Sequence, residues 1–109
     1  MAATVVGTMT ARDALVAARS IRPIITDPRM AWWDAWAEAP DFDGALTLCT
    51  RLMRLVDYTD SHAQVLACDA CLMATQAHVH EALGNTANVA DIVRRVESNV
   101  EQAKVWGGM

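Results

Sequence analysis

Basic residues are scarce in this chain. Nine Lys and Arg stand against 13 Asp and Glu in 109 residues, for a net charge of −4 and a pI near 5.1. Nucleic acids and anionic membrane surfaces are held by Lys and Arg that neutralise phosphates, so neither is expected as a partner. Cysteine is also sparse, at three, and Cys68 and Cys71 sit one helical turn apart. An odd count with that spacing is no disulfide framework, and a reducing cytoplasm is the expected setting. Long apolar runs are missing: none nears the roughly 18 residues of a membrane span. The opening MAATVVGTMTARD has neither the basic n-region nor the apolar h-region of a signal peptide. Phe and Tyr occur once each, against four Trp. No G-x-S-x-G, Walker loop, Rossmann fingerprint or H-E-x-x-H is present, so neither enzyme activity nor a cofactor is expected.

What the chain has in surplus is apolar surface, 53% by composition. Its length suits one domain, with roughly two-thirds of the unfolded surface buried. The densest stretch is 61–84, SHAQVLACDACLMATQAHVHEALG. Ser61 with Gln64 fits a capping box, and Gly84 suits a left-handed C-terminal cap. At about 100° per residue, Ala63, Ala67, Ala70, Ala74 and Ala77 align as a ridge of methyl groups. Such a ridge admits a neighbouring helix, or a second subunit, at short range. Val65, Cys68, Leu72, Thr75, Val79 and Leu83 form a second line with the spacing of a bundle seam. A helix apolar on two sides needs two partners. It is expected at the centre of an all-α bundle of four main helices plus a short N-terminal one.

The other elements follow from punctuation. Residues 1–9 read as a loose arm. Thr10 with Asp13 opens a short helix to about Ser20 that presents Ala11, Ala14, Leu15, Ala18 and Ile21 and ends at Pro23. Ile24 and Ile25 read as a buried connector. Asp27-Pro28 opens a helix to about Ala39 that carries Trp32, Trp33 and Trp36 on one face. After Pro40-Asp41 a third helix covers about Phe42 to Tyr58, its apolar arc taking half the circumference. A last helix, capped at 85–88, runs to about Val105 on a stripe of Val89, Ile92, Val93, Val96, Val100 and Ala103. Residues 106–109 read as a frayed tail.

Several constellations invite chemistry. Cys68-x-x-Cys71 lies inside a helix rather than at its N-terminus, where a dipole would activate a thiol, so both cysteines read as buried and inert. His78 and His80 point about 200° apart on one helix and cannot share a metal. No metal site is expected. His62, Asp69, Gln76 and His80 share a stripe that reads as an exposed polar seam. The segment 75–99 resembles a helix-turn-helix at Leu83-Gly84, but its second helix mixes Asp91, Glu97 and Glu101 with Arg94 and Arg95.

The expected function is therefore a non-enzymatic protein-binding module: an adaptor, an inhibitor, or an antitoxin- or immunity-like neutraliser. A homodimer is expected, binding a protein partner whose identity the sequence does not encode. Trp32, Trp33 and Trp36, with Asp34 and Glu38, are the expected partner- or ligand-binding residues, and Trp33 the most exposed. Two alternatives stand beside it: a transcription regulator using 75–99, and a binder of small apolar ligands in a Trp-lined pocket.

Overall fold

The computed structural model describes residues 9–59 and 61–108. The expected arm at 1–9, Met9 apart, and Met109 of the expected tail lie outside them. Five α-helices follow in order: α1 (Ala11–Ser20), α2 (Ala31–Glu38), α3 (Phe42–Tyr58), α4 (His62–Ala82) and α5 (Thr86–Gly107). Among the described residues there is no strand. The protein is an all-α bundle.

The caps explain the boundaries. Thr10 accepts from the Asp13 backbone N–H while the Asp13 carboxylate accepts from Thr10 N at 2.8 Å, a complete capping box for α1. Asp41 and Ser61 cap α3 and α4 through the backbone N–H groups of Gly44 and Gln64. Gly84 adopts φ +80° after Leu83, with its N–H donating to Glu81 O and the Asn85 N–H donating to His80 O. That is the Schellman pattern, and it turns the chain into α5.

Two elements differ from expectation. Asp27-Pro28 opens a 3-10 turn, Pro28–Met30, and α2 begins only at Ala31. Asp27 is committed locally: its carboxylate accepts from the Arg29 guanidinium and backbone N–H, which together hold its pKa at about 2. That tight loop delays the helix. The second difference is the end of the chain. Helix α5 continues through Trp106 and Gly107, where a frayed tail was expected. Trp106 packs edge-on against His62 with ring centroids 4.7 Å apart, and Gly108 closes the helix in the left-handed conformation.

Helix α4 is the hub. It packs on α1, α3 and α5, and α2 reaches it through two tryptophans. Helices α4 and α5 form an antiparallel hairpin, pinned by Asn99 donating to Asp69 at 2.9 Å and by the His62–Trp106 contact. The alanine ridge, Ala63, Ala67, Ala70, Ala74 and Ala77, is buried within the single chain. Helix α1 packs on both members of the hairpin through Ala11, Ala14, Leu15 and Ala18. A Glu81 carboxylate oxygen accepts from the Ala11 N–H at 3.0 Å, fixing the start of α1 to the end of α4.

The second line of α4 fares differently. Cys68 and Thr75 are buried, Val65, Leu72 and Val79 only half-buried, and Leu83 is exposed.

Candidate functional site

The Trp-bearing helix α2 is short, and its three indoles have different fates. Trp33 is 1% exposed, which corrects the expectation that it would be the most exposed of the set. Its Nε1–H donates to Thr75 Oγ1 at 3.0 Å, and the Thr75 hydroxyl donates to Cys71 O at 2.7 Å. Trp36 is buried as well. Its Nε1–H donates to Asp41 O at 3.1 Å, and its ring meets His78 edge-on with centroids 5.1 Å apart. Trp32 alone lies largely open, 47% exposed, with the Arg51 guanidinium 4.4 Å above its ring. On an isolated helical wheel residue 33 lies furthest round. Packed on α3 and α4 together, α2 buries Trp33, Trp36 and Ala37 and leaves Trp32 outside.

The acids expected beside them are engaged inside the chain. Arg22 grips Asp34 with two hydrogen bonds of 2.7 and 2.8 Å and donates a third to Ile25 O. Glu38 meets Arg19 at 3.8 Å on the open surface, a pair of little energetic weight.

Between α2 and α3 lies a cavity of about 200 Å³. Its floor is Met30, Trp33, Leu48, Leu52 and Leu55, all buried, and its mouth is Trp32 with Arg29, Arg51 and Arg54, all exposed. Trp36 takes no part in it. Arg29 is already tied to Asp27.

Helix α3 has a second apolar side. Its buried residues are Ala45, Leu48, Leu52 and Leu55. Phe42, Leu46 and Met53 are exposed, and half-buried Cys49 and Val56 fall on their line. At about 100° per residue this line lies across the buried arc from Arg51 and Gly44, the positions that meet α2. The half-covered residues of α4, Val65, Leu72, Val79 and Leu83, likewise lie roughly 100–140° around the helix from His78, a contact with α2. Each line thus lies on the side of its own helix away from α2.

The two buried cysteines, Cys68 and Cys71, are set up to be unreactive. Burial pushes the Cys68 thiol up to about 11, Cys71 further still, and raises Cys49. Burial also lowers the pKa of His78, whose Nε2 is buried with no hydrogen-bond partner among the described residues. No group of three or more His, Cys, Asp or Glu among the described residues is placed to hold a metal ion. No described helix is long and apolar enough to cross a membrane.

No family model, curated protein or solved structure matches the chain. The functional reading therefore rests on the surface itself. That surface offers an Arg-rimmed apolar cavity on one side of α3 and an uncovered apolar line on the other. The segment 75–99 is the turn end of the α4–α5 hairpin, whose helices still meet at Asp69–Asn99 and His62–Trp106, whereas the two helices of a helix-turn-helix cross at roughly 90–120°. Sequence periodicity marked Trp32 but missed Arg51 and Arg54 as its neighbours. Their only local signal was placement on the wet side of α3.

Proposed function

We propose that this chain is a non-enzymatic protein-binding module of the reducing cytoplasm, and that it works as a homodimer through the outer side of α3 and the half-covered line of α4. One observation carries the reading: Phe42, Leu46, Cys49, Met53 and Val56 form a continuous exposed or half-exposed line. Single exposed apolar residues are ordinary, but a line at alternating spacings of four and three is a helix-packing seam.

The line is close to symmetric about Cys49. Two copies of α3 related by a two-fold axis and running antiparallel set Leu46 beside Met53, Phe42 beside Val56, and Cys49 opposite its own copy. Such an interface is isologous and closes on itself. The work of an adaptor, inhibitor or neutraliser is then done by the rest of the dimer surface on a protein partner.

Sedimentation velocity tests this directly. The wild type is expected to sediment as a dimer at micromolar concentration, and Leu46→Glu and Met53→Glu as folded monomers with unchanged circular dichroism. Mild oxidation is expected to cross-link the wild type through Cys49 and not Cys49→Ser. A wild type that stays monomeric, or glutamate variants that still dimerise, would overturn the proposal.

A further inference from the structure

We infer that the cavity between α2 and α3 is a binding site for an apolar carboxylate, an aromatic acid of one or two rings. Volume sets the size. An engineered cavity of about 150 Å³ admits benzene, so the roughly 200 Å³ here takes a ring with a substituent or a fused pair. The floor supplies the apolar contact, since Trp33, Leu48, Leu52 and Leu55 are all buried and their polar needs are met elsewhere. A ligand seated there displaces water from apolar surface and breaks no hydrogen bond of the protein.

Charge sets the sign. The chain as a whole is negative, yet beside the Asp27-paired Arg29 the lining holds two further guanidinium groups, Arg51 and Arg54, and no carboxylate. Arg51 and Arg54 make no ion pair with a carboxylate among the described residues. Arg51 is held over the Trp32 ring, so its planar fork is positioned before any ligand arrives. An apolar cation is repelled at this mouth, and a neutral ring gains only the floor. A ring bearing a carboxylate gains the floor and a charge-assisted hydrogen bond with it. The site faces α2, on the other side of α3 from the line of Phe42 and Met53, so it stands or falls independently of the dimer.

The shared chemistry has two sources, a free aromatic acid or the carboxy-terminal aromatic residue of another chain. Full-length ¹⁵N-labelled protein is titrated with 2-naphthoate, with 2-naphthamide, and with a short glycine peptide ending in Trp as free acid or amide. The Trp32 and Trp33 indole resonances report occupancy. The naphthoate is expected to bind about tenfold more tightly than the amide. Arg51→Gln or Arg54→Gln is expected to remove most of that preference while leaving amide binding in place, which shows the pocket intact. Tighter binding of the free-acid peptide than of naphthoate identifies a chain terminus as the source, and the reverse identifies a free acid. Either order upholds the site. Equal binding of acid and amide overturns it, as does a preference untouched by both Arg variants. Silence of both indole resonances at millimolar ligand overturns it too.

Discussion

Replacing Thr75 by Val tests how α2 is held on the bundle. The two side chains are nearly isosteric, so the change deletes a hydroxyl and little else. That hydroxyl accepts the Trp33 Nε1–H at 3.0 Å between side chains no more than 1% exposed. The indole N–H is then left buried without an acceptor, which costs about 1–3 kcal/mol. The hydroxyl also donates to Cys71 O, but a helix-interior carbonyl keeps its backbone partner, so that loss adds little. For a domain near 100 residues, about 2 kcal/mol lowers Tm by roughly 10 °C.

Packing damage is separated from the hydrogen bond by a second background. Trp33→Phe removes the donor and leaves a cavity, at a cost of about 2–4 kcal/mol. In that background Thr75→Val strands no donor and is expected to be close to neutral. Urea unfolding of the four proteins, followed by far-UV circular dichroism, gives the coupling directly. A coupling of at least about 1 kcal/mol is expected. Equal cost of Thr75→Val in both backgrounds refutes the argument.

Three further outcomes follow from the same packing. Gly44→Ala is expected to destabilise by about 1–3 kcal/mol despite a better helix propensity, because an added Cβ would lie 2.6 Å from Asp41 Oδ1 and 2.7 Å from Trp36 Cδ1; a rise in Tm sinks this. Native protein treated with a thiol reagent at mildly alkaline pH is expected to label slowly at Cys49 and not at Cys68 or Cys71, with all three labelled in denaturant; rapid labelling of two thiols in the native state contradicts it. Burial holds the folded-state pKa of His78 below the ordinary 6.5, so its contribution to stability is complete above that value and is lost as pH falls through the lower, folded-state pKa. His78→Gln should flatten that acid limb in urea midpoints, and an unchanged slope counts against it.

How much of this was legible in the sequence depended on whether a signal was local. Thr10 with Asp13, Asp41, Ser61 and Gly84 act within four residues of themselves, and each stands where its residue type predicted. The five ridge alanines read as a packing line because α4 repeats them over four turns. Their outcome, burial inside one chain, depended on α1 and α5 being near, which no single-helix wheel contains. Trp33 misled for the same reason. Its burial is set by Thr75, 42 residues away in sequence. The α2–α3 cavity was illegible because it is a gap between elements, and periodicity describes only the elements. Trp106 was read as part of a frayed tail because its partner, His62, belongs to another helix.

The tryptophan surplus and the proposed dimer surface do not coincide, and magnitudes show what that surface would need. Trp33 and Trp36 are anchored by their N–H groups and Trp106 makes a ring contact with His62, so self-association on α3 falls to Phe42, Leu46 and Met53. Fully burying a Leu, Met or Phe gains about 1.5–3 kcal/mol. Leu46 and Met53 are only 47% and 56% exposed, and Phe42 is 36% exposed, so each has less than the full amount left to gain. Two copies of the α3 line therefore contribute roughly 6 kcal/mol. Association costs at least about 4 kcal/mol and often far more. On α3 alone a dimer would be weak, so the half-covered line of α4 has to join it. Leu83, at 59% exposed, has the most to add and the least structural duty. Leu83→Gln is accordingly expected to weaken the dimer by about tenfold without lowering the unfolding midpoint of the monomer. Sedimentation equilibrium measures the first and urea titration of a Leu46→Glu background the second. Were Leu83→Gln to leave dimerisation unchanged, the interface would have to lie elsewhere than these two lines of α3 and α4.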